Sequence, residues 1–177
     1  MIIDGVLNVL PKPDKPVESG VGENWGDVTQ HFGTPLPGDY MSFIDKYGSG
    51  EIGEWLSVFN PFSKNQNINL ISQFFSCLSS LSILKADYPE ICSYPLLFEP
   101  SGLLPWGVSI DGDIFCWETT GMSGKWSVVV IGRDSDPEKY EMSTCQFIEK
   151  IITSTISPLA IPSDWNDGEI NFVPHIL

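Results

Sequence analysis

The side chains able to serve as nucleophile, base or metal ligand are few. There are two histidines, His31 and His175, and four cysteines, Cys77, Cys92, Cys116 and Cys145. Neither histidine stands in a pattern that pairs a nucleophile with its base. There is no C-x-x-C, and no cysteine and histidine share zinc-ligand spacing. Buried, reduced thiols are expected instead, since Cys77 and Cys145 fall on the apolar faces of helical patterns. Asp111-Gly112-Asp113 opens like a calcium loop, but Phe115 and Met122 stand where that loop needs an oxygen ligand and a closing glutamate. The motifs of serine hydrolases, phosphate-binding loops and zinc proteases are all missing. No metal and no cofactor is therefore expected, and no enzymatic activity.

Carboxylates remain. The chain has 177 residues, with 23 Asp and Glu against 9 Lys and Arg, a net charge of −14. With so many acids, a pair at glycosidase spacing says nothing. Their distribution says more. From Ala86 to Glu118 stand Asp87, Glu90, Glu99, Asp111, Asp113 and Glu118, with no Lys or Arg. A second cluster, Asp134, Asp136, Glu138 and Glu141, is answered by Arg133 and Lys139 alone. Such acids serve equally as a solvated surface or as a face for a basic partner, where they would raise the association rate more than the affinity. Glu51, Glu54, Asp111, Asp113, Glu118, Asp134, Asp136 and Glu138 are the candidate contact residues. Nine scattered cations, one of them Arg, form no stripe for phosphates, so nucleic acid is not an expected partner. No apolar run approaches the roughly 18 residues of a membrane span.

The elements that would position these acids follow from periodicity. Trp25, Val28 and Phe32 predict a helix stopped by Gly33, and Tyr40, Phe43, Ile44 and Tyr47 predict a second one after Pro37. Leu70, Ile71, Phe74, Phe75, Leu78 and Leu81 predict a longer helix with that stripe buried, ended by Pro89. Ser143 caps a last helix with Phe147, Ile148, Ile151 and Ile152 inward. Between them lie strands: Ile52 to Phe59, then Leu104 to Ile110 and Asp113 to Trp117 around Asp111-Gly112, then Trp126 to Ile131, with Tyr140 in a short fourth piece. Asp-Gly between apolar runs signals a two-residue hairpin turn with positive φ at both positions. Hairpins without βαβ alternation predict an α+β fold: an antiparallel sheet of about five strands with helices mainly on one face. Trp106, Trp117 and Trp126 suit its core or, if exposed beside carboxylates, an interface. Residues 1–22 form a lead segment in which Pro11, Pro13 and Pro16 mark an extended connector, and prolines mark 156–177 as an irregular tail, flanking a domain over 23–155. Met1 to Leu7 contains Asp4 and no cation before its apolar part, so a secretory leader is not expected and the cytoplasm is.

The order of these pieces resembles the SUKH superfamily (the Smi/Knr-type domain). Leu36-Pro37-Gly38-Asp39-Tyr40, then Phe43-Ile44 and Tyr47-Gly48-Ser49-Gly50, is similar to that family's opening. Gly102-Leu103-Leu104-Pro105-Trp106-Gly107, Asp111-Gly112-Asp113 and Phe115-Cys116-Trp117 are similar to its central hairpin, and Trp126 to Val130 to the next strand. On this resemblance Pro37, Asp39, Tyr40, Trp106, Gly107, Gly112, Trp117 and Trp126 are fold-motif residues with structural roles. The resemblance implies a bacterial immunity protein that binds and neutralises a cognate toxin, a basic nuclease being one candidate. A regulatory interaction module of the same fold is the alternative, and a small carboxylate hydrolase a third reading. The long apolar helix near residue 80 leaves room for a homodimer face.

Overall fold

A computed structural model describes residues 3–89, 94–96, 99 and 101–175; Glu90 and Cys92 lie outside them. Helices form where the sequence supplies ends for them. α1 spans Asp4–Val9. In α2, Trp25–Phe32, the Asn24 side chain accepts from the Gly26 N–H, and Gly33 at φ 69 closes the helix. α3 runs Gly38–Tyr47 behind Pro37. α4, Leu70–Asp87, begins with the Asn69 side chain accepting from the N–H groups of Ile71 and Ser72. α5, Thr144–Ile152, opens with a reciprocal Ser143 and Gln146 cap. Asp39 reaches across from α3, and its carboxylate accepts from the Cys145 N–H at the start of α5, 2.8 Å away.

The strands are β1 (Gly50–Ile52), β2 (Leu56–Val58), β3 (Leu103–Ser109), β4 (Ile114–Glu118), β5 (Ser127–Ile131), β6 (Glu138–Tyr140) and β7 (Phe172–Pro174). They form one antiparallel sheet in the order β6-β5-β4-β3-β2-β1-β7. Seven strands replace the expected five or so for two reasons. The segment Ile52 to Phe59 is a tight hairpin, not one strand, because Gly53 (φ 61) and Glu54 (φ 54) are both left-handed and reverse the chain. And the tail returns to pair Phe172–Pro174 with β1. The Asp111-Gly112 connection is also looser than a two-residue turn. Only Gly112 has positive φ, at 94, and residues 110–113 lie outside both strands.

Side chains alternate across this sheet, and both faces are covered. Leu104, Trp106, Phe115, Trp117, Val128 and Val130 join the main core with α1, α2, α3 and α5. Leu103, Cys116, Val129 and Ile131 point the other way and meet Leu81 and Leu84 of α4. α4 divides between the two faces: Leu70, Phe74 and Cys77 join the main core, and Leu81 and Leu84 cover the opposite face. Phe75, counted in its buried stripe, is 56% exposed, since adjacent Phe74 takes the inward position.

Trp106 sits where the β3–β4 register slips between Pro105 and Gly107. A Cβ on Gly107 would stand 2.9 Å from the Ser57 carbonyl. Trp117 is fully buried and donates from Nε1 to Thr144 Oγ1 at 2.8 Å. Trp126 packs on Trp117, 6.1 Å between ring centres. Tyr40 is fully buried and donates its hydroxyl to the Phe59 carbonyl. Burial holds the Tyr40 hydroxyl well above the usual phenol range, so it stays protonated.

The lead segment is tied down by a polar network. Glu18 accepts from Ser49 Oγ and from the Lys64 N–H, each at 2.7 Å. Asn60, fully buried, donates to the Glu18 carbonyl and to Ser49 Oγ. Burial alone would raise the Glu18 pKa, but the hydrogen bonds from Lys64, Ser49 and Ser63 outweigh it and hold the carboxyl below the ordinary glutamate range. A depressed folded-state pKa gives stability that is present above the unfolded value, about 4.3, and is lost as pH falls through the folded value. Thermal melts from pH 7 down to pH 3 should therefore show the native chain losing more stability than Glu18→Gln over the acid limb. Parallel curves for the two would contradict this assignment.

Candidate partner-binding surface

β1, β3 and β5 run toward the same end of the sheet, so the connections that follow them converge there. The β1–β2 turn brings Glu54, the β3–β4 turn brings Asp111 and Asp113, and the β5–β6 loop brings Asp134 and Asp136, with Glu138 opening β6. Glu54, Asp111, Asp134 and Asp136 are exposed. Glu51 and Glu118 stand apart. Glu51 is half-buried on β1, with Ser57 Oγ at 3.1 Å and His175 Nε2 at 3.5 Å. Glu118 ends β4 at the far side, its carboxylate 2.7 Å from Lys139 Nζ, and the hydrogen bond between them raises the lysine pKa.

Two of the gathered acids are scaffolding. Asp113, a candidate contact residue, is 4% exposed and unavailable to a partner. One of its oxygens accepts from Ser109 Oγ at 2.5 Å and the other from the Arg133 N–H at 2.9 Å, which braces the two loops against each other. Glu138 accepts from the Tyr140 hydroxyl and the Leu159 N–H and so anchors the tail. Asp111 accepts from Trp55 Nε1 at 2.9 Å while remaining exposed.

The tail adds residues that the sequence analysis set aside. Trp165 packs on Trp55 with ring centres 5.4 Å apart, and the Gly53 N–H donates to the Asn171 carbonyl. This lays exposed Asp164, Asp167 and Glu169 on the same end. The signal was Trp165 itself: a large ring in a Pro- and acid-rich stretch has to bury somewhere.

Beside these acids runs a groove of about 950 Å³ between α4 and the β5–β6 loop. Leu81, Leu84, Ile114 and Ile131 form its floor, and Tyr88, Arg133, Asp134, Asp136 and Leu159 its rim. A second hollow of about 350 Å³ adjoins it between Asp111, Asp134 and Pro162. Ile110, Tyr88 and Leu159 are exposed around this end, and Arg133 is the cation in the loop. An apolar floor with an anionic rim suits a partner that presents apolar side chains flanked by Lys or Arg.

Covalent chemistry has little to work with. Neither histidine lines the groove. Cys77, Cys116 and Cys145 are buried. Burial pushes the Cys77 thiol up to about 11 and raises that of Cys145, aided by the nearby Asp39 charge, so both are thiols at neutral pH and poor nucleophiles. Among the described residues no three His, Cys, Asp or Glu gather as metal ligands, and no helix is long and apolar enough to cross a membrane.

A seven-stranded antiparallel sheet with helices packed against it defines an α+β domain. The family model described as SMI1-KNR4 cell-wall matches residues 23–148, and the chain belongs to that SUKH family. Comparisons with curated proteins and with solved structures gave no match. The match stops short of both flanking segments, yet Val6 and Leu10 before it and Phe172 after it lie in the main core.

Proposed function

We propose that this chain is a non-enzymatic, immunity-type binding protein that covers a basic bacterial toxin, a nuclease being the best fit, with the acidic turn end of its sheet. The observation that carries this is the convergence of Glu54, Asp111, Asp134, Asp136, Asp164, Asp167 and Glu169, all exposed, beside an apolar groove with one arginine among them. Family membership supports a protein partner, and the protonated thiols and distant histidines support occlusion over turnover. Lys and Arg that hold a phosphate backbone in a nuclease would meet these carboxylates instead. The cytoplasm, where such a toxin would meet its inhibitor, is part of the same proposal. So is the division into a lead over 1–22, a domain over 23–155 and a tail over 156–177.

The test is binding to the protein encoded beside it. Asp134→Lys with Asp136→Lys should slow association about tenfold or more at low salt, with the difference shrinking as salt rises. Asp14→Lys with Glu23→Lys makes the same change in net charge away from this end and should have a much smaller effect. Equal association rates for the two double variants would defeat the proposal, and release of the toxin's activity by the first pair alone would support it.

A further inference from the structure

Among the described residues, α4 carries an outward face that meets little beyond Gln66, which accepts from Ser72, and His31, whose ring centre stands 6.1 Å from that of Phe75. At 3.6 residues per turn, Ser72, Phe75, Ser76, Ser79, Ser82, Ile83 and Ala86 share one side, opposite the buried Leu70, Phe74, Cys77 and Leu81. Phe75 is 56% and Ile83 60% exposed. Two of the four serines on this face are already bonded, Ser72 to the Gln66 side chain and Ser82 to the Leu78 carbonyl. No Asp, Glu, Lys or Arg lies between Leu70 and Leu84. In a chain of net charge −14, this is a rare place where two like surfaces can meet without repulsion.

The order of residues on this face is also self-complementary. Counting outward from Ser79, the positions three away are Ser76 and Ser82, those four away are Phe75 and Ile83, and those seven away are Ser72 and Ala86. Small stands opposite small and large opposite large. We propose that α4 is a homodimer surface in which two copies pack antiparallel about a two-fold axis at Ser79. Phe75 of one copy then lies on Ile83 of the other, twice over, as an isologous contact requires. Serine at the axis lets the backbones approach closely, with helix axes about 8–10 Å apart. The face extends roughly 21 Å along the helix. At a helix width of about 10 Å that strip covers roughly 200 Å², well below the roughly 800 Å² per partner of a standard interface, so the dimer is weak and dilutes apart.

The inference is independent of the toxin-binding proposal, and salt separates them. Contact between uncharged faces of anionic molecules strengthens as salt screens the repulsion, whereas binding of a basic partner weakens. Sedimentation velocity of the full chain over a concentration series should show a monomer–dimer equilibrium that tightens with salt. Phe75→Glu with Ile83→Glu should weaken it at least about 100-fold, and Ile83→Glu alone should weaken it with little change in the thermal melt, because Ile83 is 60% exposed whereas the Phe75 ring also meets His31 and Phe74. Geometry is tested by cross-linking. Ser79→Cys meets its own copy at the axis and should form an intermolecular disulfide under mild oxidation, whereas Ser76→Cys faces Ser82 and should form far less. A native chain that stays monomeric throughout, a dimer that survives both glutamates, or cross-linking stronger at residue 76 than at 79 would each overturn the proposal.

Discussion

Trp117→Ala should remove a large part of the domain's stability. The ring is fully buried, with Tyr40 edge-on at 4.8 Å, Trp106 at 6.2 Å and Trp126 at 6.1 Å between centres. Truncating a buried aromatic costs about 3–5 kcal/mol, against a total near 5–15 kcal/mol for a domain. The buried Thr144 hydroxyl also loses its donor. A fall in melting temperature of about 10–15 °C is the expected result. The indole N–H contribution is separable. Trp106 is as deeply buried, but its Nε1 has no hydrogen-bond partner among the described residues. Trp117→Phe breaks a hydrogen bond and Trp106→Phe removes an unpaired donor, so urea titration should find the first costlier by about 1 kcal/mol or more. Equal costs would mean that the Trp117–Thr144 bond contributes nothing.

Gly48→Ala should be nearly as damaging, for a backbone reason. Gly48 has φ 70 and ψ −143, a region open in practice to glycine alone. A Cβ there would stand 2.0 Å from the Val17 carbonyl oxygen, which also accepts from the Ser49 N–H at 2.7 Å. Strain of about 1–3 kcal/mol adds to that collision. Relief requires the lead segment to lift from α3, which takes Glu18 away from Ser49 and Lys64. Limited proteolysis should then cut between Pro11 and Gly22 far faster than in the native chain, and the midpoint of urea unfolding should fall. An uncut lead segment and an unchanged midpoint would show that the bridge between Val17 and Gly48 is dispensable.

The class of fold was legible because its signals are local. Gly33 stops α2, Ser143 caps α5, and continuous apolar runs mark β3, β4 and β5. What stayed hidden depends on distant partners or on single backbone angles. Gly53-Glu54 reads as a weak point in one strand, since nothing local reveals that Glu54 takes a left-handed conformation. β7 is three residues long and gains meaning only from β1. In α4 two Phe stand side by side at the edge of the apolar stripe, so periodicity could not decide whether Phe74 or Phe75 faces inward. At the candidate surface the charge of each acid was readable and its availability was not. Asp113 and Asp134 look alike in sequence, yet one is enclosed by Ser109 and Arg133 and the other is free to meet a partner.

The late arrival of β7 bears on how the chain is made. During translation β1 and β2 emerge early, whereas the strand that pairs with the outer side of β1 leaves the ribosome more than a hundred residues later. At about 5–20 residues per second, that open edge is bare for several seconds at least. Its short length and the acidic Glu51 at its centre keep nascent neighbours from adding a strand in the interval.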